Sequence, residues 1–391
     1  MNADAEILSI LQRSLPEKAG PYNLHEPAIS GDEKARVMEA LDEGMVSYIG
    51  RHVGLFEKAL AERCGVREAI ATVSGTAALH AMLQVAGIGD GDEVLCPALT
   101  FAATANAIAY TGATPHFVDS TPDDLGIDAG RLDGYLNRLA TVNNGRPVNR
   151  VTGRRIAAVI PVHIFGHFGD MAGLRHVAGR WGIPVLEDAA EALGSLGKDG
   201  GKPGAAGPMA ALSFNGNKIV TTGGGGAILT NDPALAHQLK HITTTAKQNH
   251  PWHYMHDKVG FNYRLPNINA ALGLAQVERL DEFLSQKRRL AQKYAAVFAD
   301  AQHWQFFHEP AGCFSNFWLN AVMLAKPDMP LLETALGKLH AAGYRCRPCW
   351  TPMHLLPVYS GCPRDDLPVA ESMAARILCL PSSPHLAEIV S

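Results

Sequence analysis

At 391 residues the chain is too long for one small core, so a large domain and a smaller one are expected. Apolar residues make up 47% and charged residues 18%, the balance of an ordinary globular enzyme and not of a disordered chain. A net charge of -4 gives no electrostatic ground for binding nucleic acid or a membrane surface.

The N-terminus carries Asp4 and Glu6 where a secretory signal needs positive charge and an apolar run. No stretch reaches the roughly eighteen apolar residues of a membrane span, and the expectation is a cytoplasmic protein. Short apolar strands are expected over 69–73, 93–96, 114–118, 157–161, 184–187, 209–214 and 225–230. Between the first two, Ser74 can cap a helix whose apolar face is Leu79, Met82, Leu83 and Ala86, ended by Gly87. This alternation is that of βαβ units on a mainly parallel sheet. The segment 134–155, rich in Asn, Arg and Gly, reads as a helix end and a surface loop.

The pattern changes near residue 240. Residues 241–257 are polar and aromatic, hold four histidines and show no period, so an ordered loop is expected there. A long helix over 269–298 follows, apolar at Leu272, Ala275, Leu280, Phe283, Leu284 and Leu290. It bridges to a strand at 318–323, a helix at 331–342 and a strand at 344–349. The division is therefore 1–245, a large domain with an N-terminal extension, and 246–391, an interface loop, bridging helix and small α+β domain.

Seven cysteines, an odd number, fit reduced thiols. Cys346-Arg-Pro-Cys349 has CxxC spacing but no second ligand pair for zinc, and Pro348 and Pro352 suit a strand entering a loop better than a redox helix. His250, His253 and His256 recur every three residues without acids at metal-ligand spacing. No metal is expected.

Lys218 follows the strand at 209–214 and precedes the flexible run Thr221-Thr-Gly-Gly-Gly-Gly226, while Asp188 ends the strand before it. A lysine and a carboxylate on the C-terminal ends of neighbouring strands are what a pyridoxal phosphate (PLP) enzyme needs: one forms the Schiff base, the other holds the pyridinium proton. Singly, the lysine is equally a solvated surface charge and Asp188 a helix cap. Ser74-Gly75-Thr76 opens a helix, where backbone N–H groups, a hydroxyl and the dipole suit a phosphate. A plain capped helix would look the same. Ser213 could add a hydroxyl. Phe101 follows a strand end, placed to stack on a flat ring or to pack in the core. His163 ends another strand, facing either a ligand or ordinary packing. The run Gly223–Gly226 lacks a Gly-Lys-Ser/Thr ending, so it is not a nucleotide P-loop.

In order, six segments resemble the DegT/DnrJ/StrS family of PLP-dependent nucleotide-sugar aminotransferases over nearly the whole chain. They are Gly50-Arg-His-Val-Gly-Leu-Phe-Glu57, Ser74-Gly-Thr-Ala-Ala-Leu79, Thr100-Phe-Ala-Ala-Thr104, Glu187-Asp-Ala-Ala-Glu191, Ser213-Phe-Asn-Gly-Asn-Lys218 and Gly260-Phe-Asn-Tyr-Arg264. The resemblance implies an α/β fold, PLP-dependent transferase fold type I. A mostly parallel seven-stranded sheet domain and a smaller α+β C-terminal domain would form a homodimer with shared active sites. Lys218 would carry the Schiff base, Asp188 pair with the ring nitrogen and Phe101 stack on the ring. Gly75, Thr76 and Ser213 would hold the phosphate, with Asn262 reaching it from the neighbouring subunit. Where the family usually has glutamine in contact with the ring hydroxyl, this chain has Glu191; a carboxylate there must be protonated or aim elsewhere.

Glu191, the glycine-only run, the loop at 250–257 and Ser315-Asn-Phe-Trp-Leu-Asn320 resemble the LegC-type branch. That branch implies transfer from L-glutamate to the 4-keto carbon of a nucleotide-linked 4-keto-6-deoxy-N-acetylhexosamine, UDP-linked first, for surface-glycan, nonulosonic-acid or bacillosamine-type sugars. The alternatives are a GDP-perosamine synthase or a dTDP-sugar aminotransferase. Tyr48, His163, His250 and His354 are candidate substrate walls. A non-catalytic binding protein on the same fold is opposed by intact Lys218 and Asp188. A sugar 3-dehydratase is opposed by Lys218, where that variant carries histidine.

Overall fold

The computed structural model describes residues 2–15 and 20–390. All seven expected strands of the large sheet form: β1 (Glu68–Thr72), β2 (Asp92–Pro97) and β3 (Thr114–Val118), then, after an added hairpin of β4 (Ala140–Asn143) and β5 (Arg146–Asn149), β6 (Arg155–Val159), β7 (Leu186–Asp188), β8 (Met209–Ser213) and β9 (Gly226–Thr230). Their spatial order is β3-β2-β6-β7-β8-β9-β1, with parallel bridges Val159–Val185 and Val162–Asp188 joining β6 to β7. Only β9 runs against its neighbours. The strands are short buried runs of Ala, Val, Ile and Leu, because helices cover both faces of the sheet.

The segment at 134–155 is not a plain loop. Asn144 and Gly145 both take positive φ, 50° and 74°, the left-handed pair that a tight type I′ hairpin turn requires. The buried carboxylate of Glu93 accepts from Asn149 Nδ2 at 2.8 Å and Thr152 Oγ1 at 2.6 Å, which ties the hairpin to the sheet.

The bridging helix is two helices, Asn267–Glu278 and Leu280–Val297, broken at Arg279 with ψ of 6°. Beyond it lies an antiparallel sheet of β10 (Trp304–Phe306), β11 (Asn320–Leu324), β12 (Arg347–Pro348) and β13 (Ile377–Leu380), in the order β10-β11-β13-β12. The strand expected over 344–349 shrinks to two residues. Tyr22 bridges to Tyr344 and its carbonyl accepts from Arg345 N, while Pro348 has no N–H to lengthen the ladder. Packing adds a detail to the division expected at residue 245: the helix Ala3–Ser14 buries Ile7 and Leu11 against Leu290, Tyr294 and Trp304 of the second core.

Lys287 is wholly buried on the long helix. Its ammonium donates to the carbonyl oxygens of Trp318, at 2.8 Å, and Ser382, and burial holds it well below its ordinary value. It thereby fixes the backbone of Trp318, which enters the site described next. Among the described residues no helix is long and apolar enough to cross a membrane.

Candidate active site

A cavity of about 590 Å³ opens at the C-terminal ends of β7 and β8, roofed by residues of the small sheet. Its wall includes Gly75, Thr76, Phe101, Asp188, Glu191, Ser213 and Lys218. Those seven were singled out in the sequence far apart, and the crossovers of the sheet bring them together.

Lys218 Nζ lies 3.1 Å from Glu191 Oε1 and 3.7 Å from the centre of the Trp318 ring. The indole is itself held, its N–H donating to Asn217 O at 2.6 Å. Glu191 Oε2 accepts the N–H of Phe165 at 2.8 Å. To present that N–H, Phe165 takes a left-handed backbone at φ 58°, a conformation that costs a non-glycine residue of order 1 kcal/mol or more. Gly166 follows at φ 93°, and a Cβ there would lie 1.8 Å from Asn316 Oδ1. The same Asn316 donates to the carbonyls of Glu191 at 2.8 Å and Leu193 at 2.9 Å. Three segments therefore lock around one carboxyl. Burial pushes Glu191 above the ordinary carboxylate range, against the opposing pull of the Lys218 ammonium and the Phe165 N–H. Without a cofactor, Glu191 aims at the lysine.

Asp188 is buried at the end of β7. Its Oδ2 accepts from Thr104 Oγ1 at 2.7 Å and its Oδ1 from Ala190 N at 3.2 Å. Burial raises its pKa; the Thr104 hydroxyl and the Lys218 charge oppose that. Among the described residues no cation bonds to it, so a protonated ring nitrogen would find a carboxylate with an unmatched charge.

At the far end of the cavity the helix Gly75–Val85 begins, capped by Ser74 Oγ accepting from Ala77 N at 3.0 Å. A Cβ on Gly75 would lie 2.8 Å from the Ser213 Cβ, so only glycine lets these two backbones close on a phosphate. Phe101 is 57% exposed although it caps a buried helix, and its ring meets that of Trp350 edge-on at 6.4 Å. An aromatic left open on a cavity wall is suited to a flat partner.

The other expected residues lie outside this chain's cavity wall. His163 is buried, stacked on Phe168 at 4.0 Å, with Nδ1 accepting from Gly169 N. His354 is buried against Glu371, Nε2 to Oε1 3.0 Å. Both therefore stand off this chain's cavity wall. Tyr48 is exposed between two helices, and His250 turns back on its own loop, accepting from His253 N at 3.0 Å. Asn262 is exposed on a bridge to Thr244. Among the described residues no group of three or more His, Cys, Asp or Glu could hold a metal ion.

The DegT/DnrJ/EryC1/StrS aminotransferase family profile matches residues 27–389. The chain belongs to that family. It is 38% identical over 365 residues to the GDP-perosamine synthase of Caulobacter vibrioides and 35% identical over 365 residues to that of Escherichia coli O157:H7, covering 93% of each chain in both cases. A solved DegT DnrJ EryC1 StrS aminotransferase from Brucella abortus superposes with a TM-score of 0.80 at 29% identity, covering 91% of this chain and 94% of that one. The fold is that of PLP-dependent transferases of fold type I, and the chain is a PLP-dependent nucleotide-sugar aminotransferase.

For a DegT-family aminotransferase the site fits its cofactor: nucleophile, buried acid, open aromatic and helix terminus face one cavity. Sequence reasoning missed Thr104, Trp318 and the Phe165 N–H as working parts. Thr104 and Trp318 stand inside segments that carried the family resemblance, and that was the available signal. The Phe165 donor depends on a left-handed turn that no periodicity reveals.

Proposed function

We propose that this aminotransferase moves the amino group of L-glutamate to the 4-keto carbon of a nucleotide-linked 4-keto-6-deoxy-N-acetylhexosamine, UDP-linked, for surface-glycan, nonulosonic-acid or bacillosamine-type sugars. One observation carries the choice of branch. Glu191 and the segment 315–320, two features that resemble LegC-type enzymes, pack as a unit around the Lys218 ammonium. A GDP-linked acceptor is the second reading, favoured by 38% identity to a GDP-perosamine synthase over 93% of the chain.

When bound, PLP supplies an electron sink for the reacting carbon. Asp188 holds the ring nitrogen protonated, and Gly75, Thr76 and Ser213 anchor the phosphate. Phe101 fixes the ring plane. With the cofactor bound, Lys218 Nζ would take the proton from Cα of the amino donor and hold it for return, and in the second half of a ping-pong cycle it would deliver a proton to C4 of the sugar. Glu191 and the Trp318 ring keep that nitrogen in place when it is free.

The enzyme works as a homodimer. Ile29, Met38, Leu41, Met45, Val46, Tyr48, Ile49 and Leu55 are all exposed, as are Trp252, Tyr254, Met255 and Val259 of the histidine-rich loop. Large apolar side chains in such number mark a surface covered by protein. A second copy would bring Asn262 to its neighbour's phosphate cradle, with Tyr48 and His250 beside the sugar nucleotide.

The test is amino transfer from L-glutamate to a panel of UDP-, GDP- and dTDP-linked 4-keto-6-deoxy sugars, with products read by NMR. The reading expects the UDP-linked N-acetyl sugar to show the highest kcat/KM. Preference for the GDP-linked sugar by about tenfold or more would replace it with the second reading, and no transfer to any member would overturn both.

A further inference from the structure

Lys218 Nζ donates to Glu191 Oε1 at 3.1 Å, its one hydrogen bond among the described residues, and lies 3.7 Å from the centre of the Trp318 ring. Both contacts favour the charged ammonium, which has no lone pair with which to attack a carbonyl. A lysine at its ordinary value of about 10.4 is almost wholly charged in neutral water. Capture of the cofactor's aldehyde therefore waits until a proton has left this nitrogen for an acceptor in the same cavity.

Glu191 is built to be that acceptor. Its side chain is 5% exposed, its Oε2 is anchored by the Phe165 N–H at 2.8 Å and its carbonyl by Asn316 Nδ2 at 2.8 Å, so Oε1 is left to face Lys218. Burial raises the carboxyl's hold on a proton, which brings a neutral pair, amine beside carboxylic acid, within reach. An amide would fill the same two hydrogen-bond positions without a basic oxygen. The other titratable or charged groups around the pair are worse placed. Asp188 on β7 is bonded to Thr104 and Ala190, and Arg347 on β12 is a permanent cation. Burial holds Cys349 and Cys379 as thiols, the first pushed up to about 12. His25, from the N-terminal segment, has no hydrogen bond to Lys218, and burial, with the charges of Lys287, Lys218 and His385, makes it a poor proton acceptor.

We propose that Glu191 is the proton acceptor that frees Lys218 for Schiff-base formation. The proposal rests on the reading above in which Lys218 forms that bond. Glu191 Oε1 takes a proton from the ammonium, and the nitrogen lone pair then forms the C–N bond as the aldehyde's C=O π bond breaks onto oxygen. Glu191 returns the proton to that oxygen. The second proton of the nitrogen follows the same path, the C–O bond breaks and the oxygen leaves as water. The nitrogen keeps its third proton in the new C=N bond, and the carboxylate ends as it began. Such a group speeds formation and release alike and leaves the equilibrium affinity unchanged.

The test mixes cofactor-free full-length protein with saturating PLP and follows the absorbance of the Schiff base. Between about pH 6 and 8 the wild-type rate is expected to change less than about tenfold, whereas an unassisted lysine would gain about 100-fold. Glu191→Gln should be about 10²-fold slower near neutral pH and close most of that gap by about pH 9, with equilibrium PLP affinity within a few-fold of wild type. A variant slowed equally at every pH, with affinity lost in step, would show a merely structural role and overturn the proposal. So would wild-type speed in Glu191→Gln. A wild-type rate that climbs about tenfold per pH unit would overturn it without any variant having to fold. If Lys218→Ala forms the same absorbing species, the proposal falls together with the reading of Lys218 on which it rests.

Discussion

The floor of the cavity and its mouth are built on opposite terms. At the floor, Asp188 accepts from Thr104 and Ala190, Glu191 accepts from Phe165 through a left-handed turn, and Lys218 is held by Glu191. At the mouth, Phe101 and Arg347 stand exposed, and the Arg347 side chain has no described partner. One chain therefore supplies the groups that face the cofactor's ring and its reacting end, while the phosphate cradle, in the reading proposed above, takes Asn262 from a neighbour. The part that selects a substrate is left open for a ligand and a second copy. A site can be preorganised for chemistry before it is complete for recognition.

The sharpest way to break this contrast is at the floor. Lys218→Ala should lower the rate of 2-oxoglutarate formation from L-glutamate by about 10³-fold or more, since one nitrogen serves as both nucleophile and base. A variant that kept the wild-type rate would show that the floor is not where the chemistry lies.

Asp188→Asn comes next, and pH gives it a direction. Burial raises Asp188 and Glu191 in the cofactor-free protein, so the folded chain binds their protons more tightly than the unfolded one. The stability they contribute is fully present below about pH 4, the ordinary carboxylate range, and is lost as pH rises through the raised folded values. The melting temperature of cofactor-free Asp188→Asn should therefore fall less than that of wild type between pH 4 and 8. PLP should also stabilise the variant less. Equal pH slopes for the two proteins would count against a buried, unmatched Asp188.

At the boundary between floor and mouth, Phe101→Ala should weaken PLP binding by about 2- to 10-fold, the range of one aromatic contact, as read by fluorescence titration. The smallest effect is expected at Glu191→Gln. The amide keeps the Phe165 N–H bond but not the charge, so the variant should bind PLP within a few-fold of wild type. A loss above tenfold would mean that the charge of Glu191, and not its hydrogen-bonding shape, holds the site.

Much of the floor was legible in the sequence, for a physical reason. In a parallel sheet the strand ends share one edge, so Asp188 after β7 and Lys218 after β8 had to converge once the strands were read. The helix cap at Ser74 was legible for the same kind of local reason. The histidines were not. His163 and His354 have the polarity of ligand contacts, and periodicity could not foresee that they would be buried beside Phe168 and Glu371, off this chain's cavity wall. The hairpin at 140–149 was hidden by polar composition, although its Asn144-Gly145 turn was visible. The loss of most of the expected strand at 344–349 depended on the distant Tyr22, beyond any window of periodicity.

The measurement that tests the contrast most directly is subunit mixing. Lys218→Ala protein, inactive at its own floor, is mixed after unfolding with Asn262→Ala protein, impaired at the contact it lends. If each site joins one chain's Lys218 to its neighbour's Asn262, each mixed dimer regains one intact site, and an equal mixture recovers about a quarter of wild-type activity. A mixture no more active than the average of its two separate components would contradict the account, because both residues would then serve the same chain.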